Sequence, residues 1–226
     1  MQIENPEYVV VAQKEAALTR NQILRKTYFL LSLTLLFSAV MASITMGGLL
    51  PMPSPGITIL GMFGLLFLAQ ALRNSKWGLS AVFAFTGFMG YALAPLLTAY
   101  LHTFTNGGTL ILTALGGTGF IFLALSLYVL ITRKDFSYLG GFLFVAIAAA
   151  FIASVVSIFL QIPLFQVLIS CAFIVISSGL ILFQTSQIIQ GGERNYIMAT
   201  ISLYVSLFNL FISLLNVLSF FGGRRS

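Results

Sequence analysis

Residues 197–221, IMATISLYVSLFNLFISLLNVLSFF, decide how the rest of the chain must be arranged. The run is apolar enough to sit in a bilayer, yet it carries Ser202, Ser206, Asn209, Ser213 and Asn216, spaced by four, three, four and three residues. On a helix that spacing puts all five on one face. An unpaired polar group in hydrocarbon costs several kcal/mol, so such a face turns away from lipid and towards other helices. The last helix is therefore expected near the middle of a bundle. Two roles are open for its stripe. One is interhelical hydrogen bonding, worth about 0.6 kcal/mol per bond on average; the other is the lining of a functional cavity.

The composition agrees with a membrane setting. Of 226 residues, 59% are hydrophobic and 7% charged, against about 25% charged in a soluble domain. Such a chain cannot cover itself with a polar surface, so it is a polytopic membrane protein. Its net charge of +6 does not point to nucleic acid, because the basic residues stand in pairs between apolar runs and form no single patch. The lone cysteine, Cys171, lies in an apolar run and is expected to be a buried small hydrophobe.

Seven apolar runs follow a polar lead, at 27–48, 56–72, 78–101, 109–131, 138–160, 164–189 and 197–221. Each is near the roughly 20 residues that a spanning helix needs. The prediction is an all-α, seven-transmembrane-helix bundle with the last helix central. A cytoplasmic N-terminal tail occupies 1–26, the transmembrane domain 27–221 and a short C-terminal tail 222–226. The polar lead is too long for a cleaved signal peptide, and the apolar run from Tyr28 to Leu50 exceeds the usual h-region of about 7–15 residues. Pro51, Pro53 and Pro55 stiffen the first connection, Asn106-Gly107-Gly108 punctuates the third, and Gln161-Ile162-Pro163 the fifth.

Charge alternates along the connections. Arg73 and Lys76 mark the second, Arg133, Lys134 and Asp135 the fourth, and Glu193 and Arg194 the sixth; the first, third and fifth carry no Asp, Glu, Lys or Arg. Lys14, Arg20, Arg25 and Lys26 outnumber Glu15 ahead of the first span. The positive-inside rule then places the N-terminus in the cytoplasm and, after seven crossings, the C-terminus outside. Arg224 and Arg225 pull the other way, but three charged loops outweigh one tail.

Small and polar residues mark close helix contacts. Ala146, Ala150 and Ser154 repeat every four residues, as do Ala149, Ala153 and Ser157, the spacing that lets backbones approach. Ser170, Ser177 and Gln184 recur every seven residues and form a polar seam facing that of the last helix. Gly87, Gly90 and Pro95 are expected to loosen the third span, with a kink near Pro95.

Enzyme motifs are missing, so no catalytic residue, metal or cofactor is expected. His102 is the sole histidine and Asp135 the sole aspartate, too few for a zinc site, a hydrolytic triad or an aspartyl dyad. Gly116-Gly117-Thr118-Gly119 lacks the ending of a phosphate loop and reads as a close-packing or flexible turn. Beyond Lys26 the Asp, Glu, Lys and Arg residues fall only in loops and the C-terminal tail, whereas ion-coupled transporters mark their path with ionisable groups inside the spans. A passive pore would have only neutral oxygens to offer, from Gln184, Ser206 and Asn209.

The sixth and seventh runs carry a family resemblance. Ser177-Ser178-Gly179-Leu180-Ile181-Leu182-Phe183-Gln184-Thr185 and Ser202-Leu203-Tyr204-Val205-Ser206-Leu207-Phe208-Asn209-Leu210-Phe211 resemble the Bax inhibitor-1 family. Leu31-Ser32-Leu33-Thr34-Leu35, Ala84-Phe85-Thr86-Gly87-Phe88 and Thr132-Arg133-Lys134-Asp135-Phe136-Ser137-Tyr138-Leu139-Gly140-Gly141 are similar to its bacterial, YccA-like branch. The resemblance implies a seven-helix bundle whose last helix is enclosed by the other six. In many members it also implies a pair of aspartates that gate a calcium leak with pH. The matching positions here are Gln184 and Ser206, which cannot titrate, so that gate does not carry over. The bacterial branch implies instead an inner-membrane protein that binds the membrane-anchored, ATP-dependent protease FtsH and restrains it. Residues 1–26 are the only end long enough for such a protease to grip, so the tail is the expected partner contact.

Overall fold

The computed structural model describes residues 6–223, with side chains from residue 18 onward. Expectations for residues 1–5 and for Arg224 and Arg225 lie outside the described residues. Seven helices account for nearly all of it: α1 (Pro6–Met46), α2 (Pro55–Ala71), α3 (Gly78–Thr103), α4 (Gly107–Thr132), α5 (Leu139–Leu160), α6 (Pro163–Gln190) and α7 (Tyr196–Gly222). Each coincides with one of the seven apolar runs to within two or three residues, except that α1 starts far upstream of residue 27. The polar lead from Pro6 onward is therefore a direct continuation of the first span.

Local chemistry sets the ends. Ser54 caps α2 by accepting from the Ile57 amide at 3.5 Å, with Pro55 at the first helical position. Asn195 caps α7, its Oδ1 accepting from the amides of Ile197 at 2.9 Å and Met198 at 3.2 Å. Left-handed residues close α4, α5 and α6: Arg133 (φ 51°), Gln161 (φ 50°) and Gly191 (φ 80°).

Six of the helices are long and apolar enough to cross a membrane; α2, with 17 residues, is the short seventh. At 1.5 Å per residue it spans about 26 Å, against a hydrocarbon core of about 30 Å. The proline-rich connection before it is tied to α3 where the Tyr91 hydroxyl donates to the Pro51 carbonyl at 2.9 Å.

Helix α7 packs against α1, α3, α4 and α6, while α2 lies against α3 and α5 against α6. Enclosure by all six partners is thus stronger than what is observed. The polar stripe demanded only that one face be kept from lipid, and four neighbours achieve that. Tyr204, 1% exposed, is the junction of three helices. Its hydroxyl bonds Ser38 Oγ of α1 at 2.7 Å and donates to the Thr86 carbonyl of α3 at 3.3 Å, and its ring meets Phe85 edge-on.

Several expectations change on packing grounds. Gly87 and Gly90 draw α3 against α1 instead of loosening it: a Cβ on Gly90 would stand 2.1 Å from the Ser38 carbonyl oxygen, and one on Gly87 would stand 2.4 Å from the Phe37 ring. Cys171 is exposed, not buried, because it shares a lipid-facing stripe with Leu164, Leu168 and Val175. A helix apolar on all sides gives no sequence clue to which side is covered. Gly116 and Gly119 sit within unbroken α4 with open space around them, so they form neither a turn nor a close contact. Of the two small-residue rows on α5, Ala146 and Ala150 pack with Leu143 and Ile176 against α6, whereas Ala149 is exposed beside an apolar groove.

Candidate functional site

No member of the polar stripe on α7 is exposed to lipid, and the stripe divides into two zones. In the first, Ser206 is 1% exposed and its hydroxyl donates to Gln184 Oε1 at 3.2 Å and to the Ser202 carbonyl at 3.0 Å. Ser177 is buried on the same side of α6, and the Tyr28 hydroxyl closes the layer against Thr185 Oγ1 at 3.5 Å. This is a tight seam of neutral groups. The Ser206 proton is shared between a side chain and its own helix, which leaves the α6–α7 bond modest in strength.

In the second zone the helices separate. Asn209, Ser213, Asn216 and Ser219 of α7 face Ser154 and Ser157 of α5, Gln166 and Ser170 of α6 and Tyr100 of α3 across a cavity of about 700 Å³. The Tyr100 hydroxyl donates to Asn216 Oδ1. Ser219 donates to the Asn216 carbonyl at 2.8 Å. The wall serines spend their protons on their own helices: Ser154 on Ala150 at 2.8 Å, Ser157 on Ser154 at 2.7 Å and Ser170 on Gln166 at 2.9 Å. What they present to the cavity is acceptor oxygen, relieved by the amide donors of Asn209, Asn216 and Gln166.

The three residues nominated as one central site are therefore split. Gln184 and Ser206 belong to the seam, and Asn209 lies about one turn further along α7, in the cavity. Of the remaining stripe and seam residues, Ser170, Ser213 and Asn216 line the cavity, while Ser177 and Ser202 do not. Sequence reading missed Tyr100, Gln166 and Ser219 altogether. It noticed Ser154 and Ser157 only as small residues. Their four-residue offset from the alanines was the available sign that the α5 stripe turns polar at one end.

The two ends of the bundle differ in charge. At one end Asn195 Nδ2 donates to the Arg73 carbonyl at 3.1 Å and to Asn74 Oδ1 at 2.8 Å. Gln190 donates to the Arg133 carbonyl at 2.9 Å, Gln187 to Ser137 Oγ at 2.8 Å, and Ser186 accepts from the Phe136 amide at 2.9 Å. Arg20 joins the same face through the Ile189 carbonyl at 3.3 Å. The second, fourth and sixth connections thus meet there with their charges. Hydrogen bonds from Ser137 hold the Asp135 carboxyl below the usual carboxylate range. At the other end, where the cavity lies, Asn106 donates to the Gly222 carbonyl at 2.8 Å, and the third and fifth connections carry no Asp, Glu, Lys or Arg. Among the described residues no three His, Cys, Asp or Glu side chains come together.

Known proteins share this sequence over most of its length. Residues 20–223 match the family described as Inhibitor of apoptosis-promoting Bax1. The chain is 52% identical over 209 residues to a protein of Escherichia coli K12 named Modulator of FtsH protease YccA, covering 92% of this chain and 94% of that one. Identity and coverage are the same for a protein of Escherichia coli O6:H1 named Inner membrane protein YccA. A Vibrio cholerae protein named only as a membrane protein is 40% identical over 217 residues, with 96% of this chain and 97% of that one covered. With the family match running from residue 20, within α1, through the end of α7, the chain belongs to the Bax inhibitor-1 family.

Proposed function

We propose that this chain is an inner-membrane modulator of membrane-protein quality control, which binds the FtsH protease and restrains it without being a catalyst. The observation that carries the reading is the 52% identity, across 92% of the chain, to a protein named for that role. The charged face is the cytoplasmic one, in keeping with the clustering of basic loops. The N-terminus then lies in the cytoplasm and the C-terminus in the periplasm. The N-terminal segment is the handle: α1 runs on from the bundle without a break to Pro6, at the face where a cytosolic ATP-driven protease works. The bundle is the resisting load, because extraction moves apolar helices from hydrocarbon into water and unmakes their internal polar seam. Gln184, Ser206, Ser177 and Ser202 serve this role as interhelical fasteners. Deleting residues 2–17, which spares Arg20, tests the handle. Loss of copurification with the protease is expected, and unchanged turnover together with unchanged copurification refutes it.

One observation favours a second reading, a cation leak insensitive to pH. The 700 Å³ cavity brings neutral oxygens to Asn209 from the uncharged face. Its lining does not include Gln184 or Ser206. Calcium flux into liposomes holding the purified chain, abolished by Asn209→Leu, would select this reading over the first.

A further inference from the structure

A second polar recess lies at the charged end, between α1, α4 and α6. It has a volume of about 250 Å³ and is lined by Arg20, Asn21, Leu24, Leu130, Arg133, Ile189 and Gln190. Arg20 is half-buried; it lays its stem over Gly191, 3.5 Å from where a Cβ would stand, and donates to the Ile189 carbonyl. Arg133 closes α4 in a left-handed turn, its carbonyl held by Gln190 and its side chain exposed. Two arginines therefore line one recess where α4 and α6 end. The nearby lysines are turned to aromatic rings instead: Lys134 to Tyr128 at 5.9 Å and Lys26 to Tyr196 at 5.8 Å.

The recess does not suit a bare anion. The last turns of α4 and α6 end beside it, and their carbonyls carry partial negative charge. A phosphate flanked by hydroxyl donors meets both demands, pairing with the arginines and donating to the carbonyls. The headgroup of an anionic glycerophospholipid has that chemistry, and basic recesses between helices on the cytoplasmic side suit such headgroups.

The surroundings supply room for the chains. Helices α1 and α4 do not pack closely on one another; the Tyr28 and Phe122 rings bridge them at 5.7 Å. Leu24 of α1 and Leu130 of α4 give the recess an apolar side. Deeper along it lies an apolar cavity of about 570 Å³, with Leu35, Ala39, Leu115 and Gly119 on its walls and Tyr204 and Phe208 on its floor. We propose that the α1–α4 seam binds one anionic glycerophospholipid, its phosphate between Arg20 and Arg133 and an acyl chain running past Leu24 and Leu130 towards the apolar cavity.

The test uses the full chain in detergent, with retention followed by native mass spectrometry and stabilisation by thermal unfolding. The probes are phosphatidylglycerol, phosphatidylcholine and inorganic phosphate. Phosphatidylglycerol is expected to be retained and to raise the unfolding temperature above the effect of either other probe. Arg133→Gln should weaken its retention about tenfold, the loss of one charge-assisted contact, while Lys76→Gln, an equal change of charge away from the seam, should leave it unchanged. Equal retention of the two lipids overturns the site, as does an undiminished effect in Arg133→Gln or an equal loss in Lys76→Gln. Stabilisation by inorganic phosphate alone overturns the lipid and leaves a free-anion site.

Discussion

The contact between α1 and α3 at Gly90 permits a worked prediction whose sign is not obvious in advance. Replacing a glycine within a helix by alanine gains about 1 kcal/mol of helix propensity. At Gly90 the new Cβ would lie 2.1 Å from the Ser38 carbonyl oxygen, 2.8 Å from its carbonyl carbon and 2.9 Å from its Cα. All three are backbone atoms, so no rotamer change relieves the overlap. An ordinary contact begins near 3.4 Å, and α1 must retreat by more than an ångström. That retreat carries Ser38 Oγ away from the Tyr204 hydroxyl, now 2.7 Å distant. Overpacking costs about 1–3 kcal/mol, and a lost interhelical hydrogen bond adds about 0.6 kcal/mol. After the propensity gain, Gly90→Ala should destabilise the protein by about 0.6–2.6 kcal/mol. Gly64 on α2 has nothing within 4 Å of its Cβ position, so Gly64→Ala should be neutral or stabilising by up to about 1 kcal/mol. Helix content during dodecyl sulfate titration from mixed micelles measures both. A Gly90→Ala protein as stable as the parent would refute the claim that backbone proximity holds α1 to α3.

Other outcomes follow from the same geometry. A double-mutant cycle on Gln184→Leu and Ser206→Ala should give a coupling near 0.6 kcal/mol, because the Ser206 hydroxyl keeps its bond to Ser202 when Gln184 is lost. Coupling above about 2 kcal/mol would mean that the pair is no ordinary fastener. Gln161 closes α5 at φ 50°, where a Cβ is disfavoured, so Gln161→Gly should stabilise by up to about 1 kcal/mol in thermal unfolding. In a Cys171→Ala background, Ser213→Cys and Asn216→Cys should react with a charged, impermeant maleimide added from the uncharged face, and Ser206→Cys should not. Equal labelling of all three would show that the cavity and the seam are one continuous aqueous path.

The helices were legible in the sequence because a backbone in hydrocarbon must satisfy its own hydrogen bonds, so each apolar run of sufficient length becomes one helix whatever surrounds it. The alternation of charged and uncharged connections likewise separated the two ends of the bundle before any contact was known. The stripe from Ser202 to Asn216 announced a face closed to lipid, and that face is closed. Its division was decided by the tertiary structure. Ser206 finds Gln184 because α6 lies close there, and Asn209 meets open space because a cavity separates that part of α7 from α5 and the first turns of α6. Cys171, Gly90 and Gly116 carry the same lesson, since an all-apolar helix has no pattern to show which residue faces lipid and which meets a neighbour. Tyr100 and Ser154 join one cavity from helices distant in sequence. Convergence of that kind comes from how helices lean on one another, a property of pairs that no single run of residues encodes.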